Sequence, residues 1–589
     1  MQYATLGGMP EEMTGGALAG PRGAGRALHR TLVGTRPGLV GLALIIGLGA
    51  GLGSVLFHEL ILGVTWLVTG RADFSDAGRV ASTHLPVLGF WFLLVAPVLG
   101  GLVYGPLVQR FAPEARGHGV PEVMVAVARN GGRIPATVAG VKALASGICI
   151  GTGGSVGREG PIVQIGSALG SAIGQWLRVP STRMVLMVCC GAAGGISATF
   201  DAPISGVVFG LELILRSFSA EAFGVLVISS VTANVVAKLI AGDTAILTLP
   251  HFELGSAASL PLYAVLGLLA GLLGWAFARI LYVVEDACDR VWRGPEWLRP
   301  AVGGLLLGAL LLALPQMYGV GYPVLENAIE SRYALGFLLL LVVGKILASS
   351  LTIGIGGSGG VFAPSLFVGG TAGTAFGIAA SAAFPALDLN PGAFGLVGMA
   401  AVFAGAAHAP ITAVLIVFEL TGDYALILPL MAAVVLATGL SNLVSRDTIY
   451  TLKLLRRGID IAADTPVDEA LRRVTVGELM RPVEGALVPR GTPLVDERPA
   501  AGTGVASDGP GPAPADPGPS VLGADAAPAD PGLPVLGADT PVRDVLDLLA
   551  RHRGTRLAVR DTPDGPVRGT LAEHDVLDHL RGVGSAGIG

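Results

Sequence analysis

Three short glycine-rich segments have the residue types needed to bind an anion through the backbone. Each segment interrupts an apolar stretch and ends in a proline. Proline suits the first turn of a helix, where no N–H group is needed, and glycine lets the backbone come close to a ligand. The segments are Gly117-His118-Gly119-Val120-Pro121, Gly157-Arg158-Glu159-Gly160-Pro161 and Gly360-Val361-Phe362-Ala363-Pro364.

The start of a helix carries about +0.5 elementary charge and several unpaired N–H donors. Three helix starts that converge on one point would therefore hold an anion without a full positive charge. Conduction needs this kind of site, because the ion must bind well enough to enter and weakly enough to leave. One such segment alone could be a plain helix break, but three with proline at matching places favour a common site.

Buried carboxylates are a second source of chemistry. Glu159, Glu212 and Glu419 all lie in apolar surroundings. Carboxylates inside a membrane are costly, and they are functional candidates for that reason. The alternative is a buried structural hydrogen bond, which we favour for Glu419 and also expect for Glu212.

The composition shows what kind of protein must position these groups. Of the 589 residues, 52% are hydrophobic, 14% are charged and 88 are glycine. Soluble domains carry about 25% charged residues. The composition excludes a soluble enzyme, a disordered protein and a protein that binds nucleic acid through a basic face. It predicts an all-α polytopic membrane protein with closely packed or broken helices.

Several apolar segments are too short to cross a bilayer alone. Examples are residues 136–150, 203–215 and 410–421. A helix of ~12–15 residues covers only ~18–22 Å, whereas the hydrocarbon core is about 30 Å thick. Transporters and channels build ion sites from broken half-helices that meet inside the membrane. We therefore expect half-membrane helices here.

The membrane part contains an internal repeat. Residues 142–174 match 345–377 at an offset of 203, and residues 201–213 match 408–420 at an offset of 207. The chain therefore has two homologous halves, at about 38–240 and 258–450. Repeats of this class commonly run in opposite directions through the bilayer, with the ion site at their interface.

Basic residues flank the membrane part at both ends. Four arginines between positions 22 and 36 precede the first apolar run, and three basic residues from Lys453 to Arg457 follow the last one. The positive-inside rule then places both termini in the cytosol. Residues 1–37 are expected to form a cytosolic tail.

The three segments GHGVP, GREGP and GVFAP resemble the selectivity-filter segments of the CLC family of chloride channels and proton/chloride exchangers. The resemblance covers about 38–452. It implies chloride as the transported ligand and a homodimer with a separate anion pathway in each subunit. We expect a multi-pass protein of the plasma membrane, with no resident cofactor, no metal and no nucleic-acid partner.

The resemblance also implies roles for single residues. Glu159 is similar to the gating glutamate, whose carboxylate competes with the anion, and Tyr450 is similar to the inner-gate tyrosine. Lys142 resembles a family lysine that adds positive potential beneath the pathway, and Lys345 is its counterpart in the second half. The implied chloride-binding residues are His118, Gly119, Gly160, Val361, Phe362 and Tyr450.

Two positions depart from the family pattern. His118 stands where the first filter segment usually has serine. Leu213 stands where exchangers have the inner glutamate that passes protons, and Glu212 matches the glutamate before it. We therefore favour a passive, gated chloride channel. The alternative is a proton-coupled exchanger whose protons use Glu159 together with water or Glu212. A membrane enzyme ranks third, since no nucleophile–base pair or metal set is evident.

The C-terminal part, 453–589, has a different composition. Residues 474–490 and 540–580 resemble the two parts of a single CBS repeat, with Asp564-Gly565 as a hairpin turn. We expect a small cytosolic α/β domain around a disordered Pro/Ala/Gly-rich insert at about 491–539. CBS domains generally work as pairs and often bind adenine nucleotides. A single copy does not favour nucleotide binding unless a pair forms across the dimer.

Overall fold

The structure is a computed structural model that describes residues 35–84, 86–242, 247, 257–461, 474–482, 536–540, 542–551, 557–560 and 567–586. It divides into two compact units, and the boundary falls after Ile459. The short helix Thr451–Arg456 therefore belongs to the first unit, and not to the tail that was predicted to begin at 453. Of the predicted N-terminal tail, residues 1–34 lie outside the described residues.

The first unit is helical throughout its described part. Its helices are α1 (Arg36–Thr69), α2 (Phe92–Phe111), α3 (Val120–Arg129), α4 (Thr137–Gly151), α5 (Glu159–Trp176), α6 (Ser181–Phe200), α7 (Pro203–Phe209), α8 (Ala220–Ala241), α9 (Leu260–Val291), α10 (Arg299–Ala313), α11 (Tyr322–Ile329), α12 (Leu335–Gly354), α13 (Phe362–Ala383), α14 (Pro391–Ala407), α15 (Pro410–Thr421), α16 (Ile427–Val444) and α17 (Thr451–Arg456).

Long and short helices alternate as the sequence predicts. Within the described ranges, nine helical segments are long and apolar enough to cross a membrane. Others are shorter, among them α4 and α15. Helices α7 and α15 both begin at a proline that follows another helix closely, and this proline fixes where the new helix starts. The prediction of broken, half-membrane helices is confirmed.

The two halves repeat the same packing. Helices α1–α8 correspond in order to α9–α16. Helix α5 packs on α6 as α13 packs on α14, and α1 packs on α8 as α9 packs on α16. The halves meet where α2 contacts α10 and where α7 contacts α15. Helices α1–α8 lie within residues 36–241, and helices α9–α16 lie within residues 260–444.

The halves run in opposite directions. Gly157 and Gly360 are equivalent at the offset of 203, and their backbones pair in an antiparallel bridge. Two copies of one segment can pair in this way only if one copy is inverted relative to the other. The predicted inverted repeat is therefore confirmed.

Glycine at helix crossings allows backbones to touch. A Cβ atom at Gly166 would lie 2.1 Å from the carbonyl oxygen of Gly191, and one at Gly191 would lie 2.0 Å from that of Gly166. The equivalent pair in the second half, Gly369 and Gly398, is as close. Backbone contact of this kind replaces the hydrophobic effect as the packing force between membrane helices. It explains part of the high glycine content.

The two halves cap each other's helices. Glu212 follows α7, and its carboxylate accepts hydrogen bonds from the N–H groups of Ile411 and Thr412, at 3.1 and 2.8 Å, and from the Thr412 hydroxyl at 2.6 Å. Glu419 does the same for Ile204 and Ser205 at the start of α7. Each carboxylate thus satisfies orphan donors and the positive end of a helix.

The second unit contains a four-stranded sheet in the order β1-β4-β3-β2. Strands β1 and β4 and strands β3 and β4 are antiparallel, whereas β2 and β3 are parallel. A core that includes Leu536, Leu549, Leu557 and Leu571 packs against the sheet. The elements are α18 (Val476–Leu479), β1 (Arg481–Pro482), β2 (Leu536–Gly537), α19 (Leu546–Arg551), β3 (Leu557–Arg560), β4 (Val567–Leu571) and α20 (Glu573–Ala586).

This unit matches the predicted α/β tail. Strands β3 and β4 flank the predicted hairpin turn at 564–565, which itself lies outside the described residues. Residues 491–535 of the predicted disordered insert also lie outside them. The prediction is wrong for residues 536–539, because Leu536 is fully buried in the core and its strand pairs with β3.

Replacement of Glu212 by alanine should destabilise the membrane unit. The change leaves the first-turn N–H groups of α15 without an acceptor in an apolar region, and we expect a loss of about 1–3 kcal/mol. Thermal unfolding in detergent is the measurement. Glu221→Ala, at an exposed position near the start of α8, is the matched control and should unfold close to the wild-type temperature. Equal melting temperatures for both variants would show that the cap does not stabilise the fold.

Candidate anion site

The three glycine-rich segments meet in the structure and are joined by backbone hydrogen bonds. The N–H of Gly157 donates to the carbonyl of Gly360, and the N–H of Gly360 donates to that of Gly157, both at 2.7 Å. The N–H of Gly117 donates to Gly357 at 3.2 Å, and Gly359 donates to Gly117 at 3.3 Å. The break before α13 thus lies between the breaks before α3 and α5, and all three are held in one cluster.

Gly160 lies where the three segments are closest. A Cβ atom there would lie 2.2 Å from the carbonyl oxygen of His118 and 2.9 Å from Cα of Gly360. Both distances are too short for a real side chain. The predicted convergence of GHGVP, GREGP and GVFAP therefore depends on glycine at this position.

Each segment leads into the start of a helix. Helix α3 begins at Val120, α5 at Glu159 and α13 at Phe362. Pro121, Pro161 and Pro364 fall in the first turns. In the described part of the chain, the N–H groups of Val361 and Phe362 have no backbone or side-chain acceptor. They are available to an anion, as the sequence analysis expects.

Two buried lysines bind carbonyl groups of loops that precede helices: Lys142 binds the loop before α3, and Lys345 binds the loop before α11. Lys142 Nζ donates to the carbonyl oxygens of Ala115 and Gly117, at 2.9 and 2.7 Å. Lys345 Nζ donates to those of Gly319 and Val320, at 3.1 and 2.8 Å. Both lysines are fully buried. They pair carbonyl groups that would otherwise repel an anion.

Glu159 is the first residue of α5 and is buried. Its Oε1 accepts a hydrogen bond of 2.7 Å from the hydroxyl of Tyr322, and its Oε2 has no partner in the described chain. A Cβ atom at Gly157 would lie 2.2 Å from Oε2, so the carboxylate is turned against the backbone of its own segment. It occupies space in the cluster that an anion would need.

Arg158 points away from the cluster. Its guanidinium bonds Nδ1 of His58 at 2.6 Å and lies over the ring of Tyr322, 5.6 Å from the centroid. The second segment, GREGP, thus contributes Glu159 and Gly160 to the site, while the side chain of Arg158 packs against His58 and Tyr322.

His118 is fully buried beside the cluster. Neither ring nitrogen has a hydrogen-bond partner in the described part of the chain. The ring stacks on Tyr282 with 6.1 Å between the centroids. An imidazole always has at least one N–H group, and an unpaired buried donor is costly, so this ring is suited to an anion.

Tyr450 approaches the cluster from the end of the membrane unit. It is buried, and its ring interacts electrostatically with Glu159. The preceding residue, Ile449, is fixed by Ala406, whose carbonyl accepts its N–H at 2.8 Å, and by the Tyr282 hydroxyl at 2.5 Å. Tyr282 therefore connects the surroundings of His118 with those of Tyr450.

Two cavities lie near the cluster. The first, here the Arg158 cavity, has a volume of about 270 Å³, and its lining includes His58, Asp73, Arg158, Tyr318, Tyr322 and Glu326. The second, here the Lys453 cavity, has a volume of about 390 Å³. Its lining includes Gly117 and Tyr282, the basic residues Arg116, Arg299, Lys453, Arg456 and Arg457, and the acidic residues Glu285, Asp289 and Glu296. Arg158 and Tyr322, whose hydroxyl binds Glu159, line the first cavity, and Gly117 and Tyr282 line the second. Each cavity therefore reaches residues of the cluster or residues in contact with it.

Glu212 and Leu213 were considered for the proton path. Both oxygens of Glu212 are engaged in the cap of α15, so the geometry supports the structural alternative for this residue, as for Glu419. Leu213 is buried and apolar.

The sequence analysis did not find Tyr322 or Lys453. Tyr322 had a usable signal, because Val320-Gly321-Tyr322-Pro323 matches His118-Gly119-Val120-Pro121 at an offset of 202. From the sequence, Lys453 was considered only as one of the basic residues that place the C-terminus in the cytosol. It lies beside Gly117 and 3.8 Å from Glu122, and it lines the second cavity.

Comparison with known proteins identifies this architecture. The family model described as "Voltage gated chloride channel" matches residues 100–442. A ClcB-like protein of Ralstonia nicotianae is 32% identical over 426 residues, covering 72% of this chain and 98% of the relative. The chain belongs to the CLC family.

Other CLC proteins are similarly close. The H(+)/Cl(-) exchange transporter ClcA of Vibrio cholerae is 35% identical over 434 residues, covering 71% of this chain and 88% of the relative. A crystal structure of a slow cyanobacterial Cl-/H+ antiporter superposes with a TM-score of 0.64 at 25% identity, covering 73% of this chain and 99% of that chain. The protein is therefore a multi-span membrane protein of a family that transports chloride, and the predicted membership of the CLC family is confirmed.

Replacement of His118 by serine, the usual CLC residue, should keep transport and change anion selectivity. A hydrogen bond to a charged group contributes about 1.5–3 kcal/mol, so we expect the chloride-to-nitrate flux ratio to change by about tenfold. Flux from liposomes, measured in a Glu159→Gln background across pH 5–8, should also lose one component of its pH response.

His84→Ser is the matched control, since His84 is exposed and lies outside the three segments. If His118→Ser changes neither the selectivity nor the pH profile, the imidazole has no role in the filter.

Proposed function

We propose that this protein is a proton-coupled chloride exchanger in which Glu159 carries the proton through the filter. The observation that carries the proposal is the position of its carboxylate, which lies among the three helix starts and borders the route to the Arg158 cavity. An ionised carboxylate competes with chloride for the N–H donors. A protonated one has no charge to hold it there, so movement of the anion and of the proton are linked.

The relatives support exchange rather than passive flow. The Vibrio cholerae relative is named for H(+)/Cl(-) exchange, and the cyanobacterial structure is described as a Cl-/H+ antiporter. The channel favoured from the sequence becomes the second candidate. It is supported by Leu213, which cannot carry a proton, and by the Ralstonia relative, which has a chloride-channel name.

An exchanger with Leu213 needs another route for protons on the second side. Glu212 is an unfavourable carrier, because its release would uncap α15. The Lys453 cavity is polar and reaches Gly117 and Tyr282, so water in this cavity supplies the inner half of the proposed proton path.

The orientation of the protein in the membrane is proposed from the basic residues that flank its membrane part. We place both termini in the cytosol of a plasma-membrane protein, with the Lys453 cavity open to the cytosol and the Arg158 cavity open to the outside. The basic residues Arg456 and Arg457, which pair with Asp286 and Glu122, then line the cytosolic opening. The protein transports without catalysing a chemical reaction or using a resident cofactor.

A homodimer fits the surface at α7 and α15. Ile204 and Ile411 are about half exposed, and their N–H groups bind the capping glutamates. Carboxylates so near hydrocarbon are costly, and a second copy on this face would shield them from lipid. For the tail, we propose a single CBS-like domain that pairs across the dimer, with no preference for nucleotide assigned.

Coupled flux in liposomes tests the proposal. A chloride gradient imposed across vesicles containing the protein should drive protons uphill in a fixed ratio to chloride. Glu159→Gln should abolish proton movement and leave chloride flux, because glutamine cannot take up a proton. External pH and chloride efflux are recorded together.

Glu221→Gln serves as the control and should behave as the wild type, since Glu221 lies at an exposed position outside the site. Chloride efflux from the wild type without proton movement would establish the channel and overturn the exchanger.

A further inference from the structure

The gating carboxylate has a specific partner that its own half of the protein does not supply. Tyr322 belongs to the second half and is the first residue of α11, yet its hydroxyl donates to Glu159 Oε1 at 2.7 Å. Oε2 has no hydrogen-bond partner in the described chain. Tyr322 is therefore the side chain that holds this carboxylate in the orientation observed.

Contacts to the preceding backbone and to the ring restrain Tyr322. Lys345 Nζ binds the carbonyl groups of Gly319 and Val320, immediately before the tyrosine. The guanidinium of Arg158 covers its ring. The hydroxyl therefore has a defined position, and a group so held can fix the position of its partner.

The inverted repeat explains how a tyrosine comes to lie here. Helix α11 is the counterpart of α3, and Tyr322 stands at the position equivalent to Val120 in the first filter segment. In the first half this helix start faces the anion cluster. In the second half the equivalent start presents a phenol to Glu159.

We propose that Tyr322 is a positioning residue that keeps the ionised carboxylate of Glu159 inside the filter, so that opening requires this hydrogen bond to break. The inference rests on the proposed gating role of Glu159. A phenol donates more strongly to a carboxylate than to a neutral carboxylic acid. The arrival of a proton therefore weakens the bond and releases the side chain toward the Arg158 cavity.

Four other charged or titratable side chains surround Glu159 or contact its neighbour Arg158. Arg158 adjoins it on α5 and is bonded to His58 on α1, whereas Lys345 on α12 and Tyr450 interact with it electrostatically. Replacement of Tyr322 by phenylalanine keeps all of them and the ring itself. The effect of the substitution then reports the single hydroxyl.

The test is the pH dependence of chloride flux from liposomes. Wild-type flux should rise on acidification as Glu159 is protonated and leaves the filter. Tyr322→Phe removes a bond that favours the ionised carboxylate, so the midpoint of this rise should move to higher pH by about one unit. Flux at pH 7 should increase several-fold.

Tyr318→Phe is the matched control. Tyr318 lines the same cavity and also makes one buried hydrogen bond, at 2.7 Å to the carbonyl of Gly151, but it does not contact Glu159. The pH midpoint of chloride flux in Tyr318→Phe should equal that of the wild type. Size-exclusion profiles of both variants check that they fold.

A second background separates positioning from a general structural effect. In Glu159→Gln protein the added Tyr322→Phe change should have no further effect on the pH profile. A shift of equal size in that background, or an unshifted midpoint in Tyr322→Phe alone, would overturn the role of Tyr322 and leave the gate at Glu159 intact. Retention of full acid activation in Glu159→Gln alone would overturn the gate and the role of Tyr322 together.

Discussion

The reciprocal hydrogen bonds between Gly157 and Gly360 set the position of everything else in the site. They join the two inverted halves at equivalent residues, and they fix the starts of α5 and α13 against each other. The bonds from Gly357 and Gly359 to Gly117 then place the start of α3 beside them. No side chain beyond hydrogen fits at Gly160, where the three meet. The anion site is thus a property of backbone contact between the halves.

This arrangement leaves backbone N–H groups as donors for an anion at the junction. Backbone groups buried at membrane depth must be paired or face a polar cavity. Lys142 and Lys345 pair carbonyl oxygens of the loops before α3 and α11, whereas the N–H groups of Val361 and Phe362 have no acceptor in the described chain. Carbonyl oxygens of these loops are therefore paired, whereas N–H groups remain available at the junction. We propose that such a site binds an anion moderately, as transport requires.

Much of this could be predicted from the sequence, because the features are local or repeated. The offset of 203 revealed the two halves, and proline after glycine marked three helix starts. Contacts that depend on how the halves meet could not be predicted. Tyr322 is 163 residues from Glu159 in sequence, and only the inverted packing brings them together. Buried hydrogen bonds were predicted for Glu212 and Glu419. That each caps a helix of the other half could not be predicted, because the sequence around a glutamate does not show which helix it caps.

The central claim is that an anion binds to backbone N–H groups at the point where the three helix starts converge. Crystals of the Glu159→Gln variant grown in bromide provide the most direct measurement, because bromide can be located by its anomalous scattering. The account predicts a bromide ion within hydrogen-bond distance of the N–H groups of Val361 and Phe362, next to His118 and Tyr450. Bromide found only in the Arg158 or Lys453 cavity, with none at this junction, would contradict it.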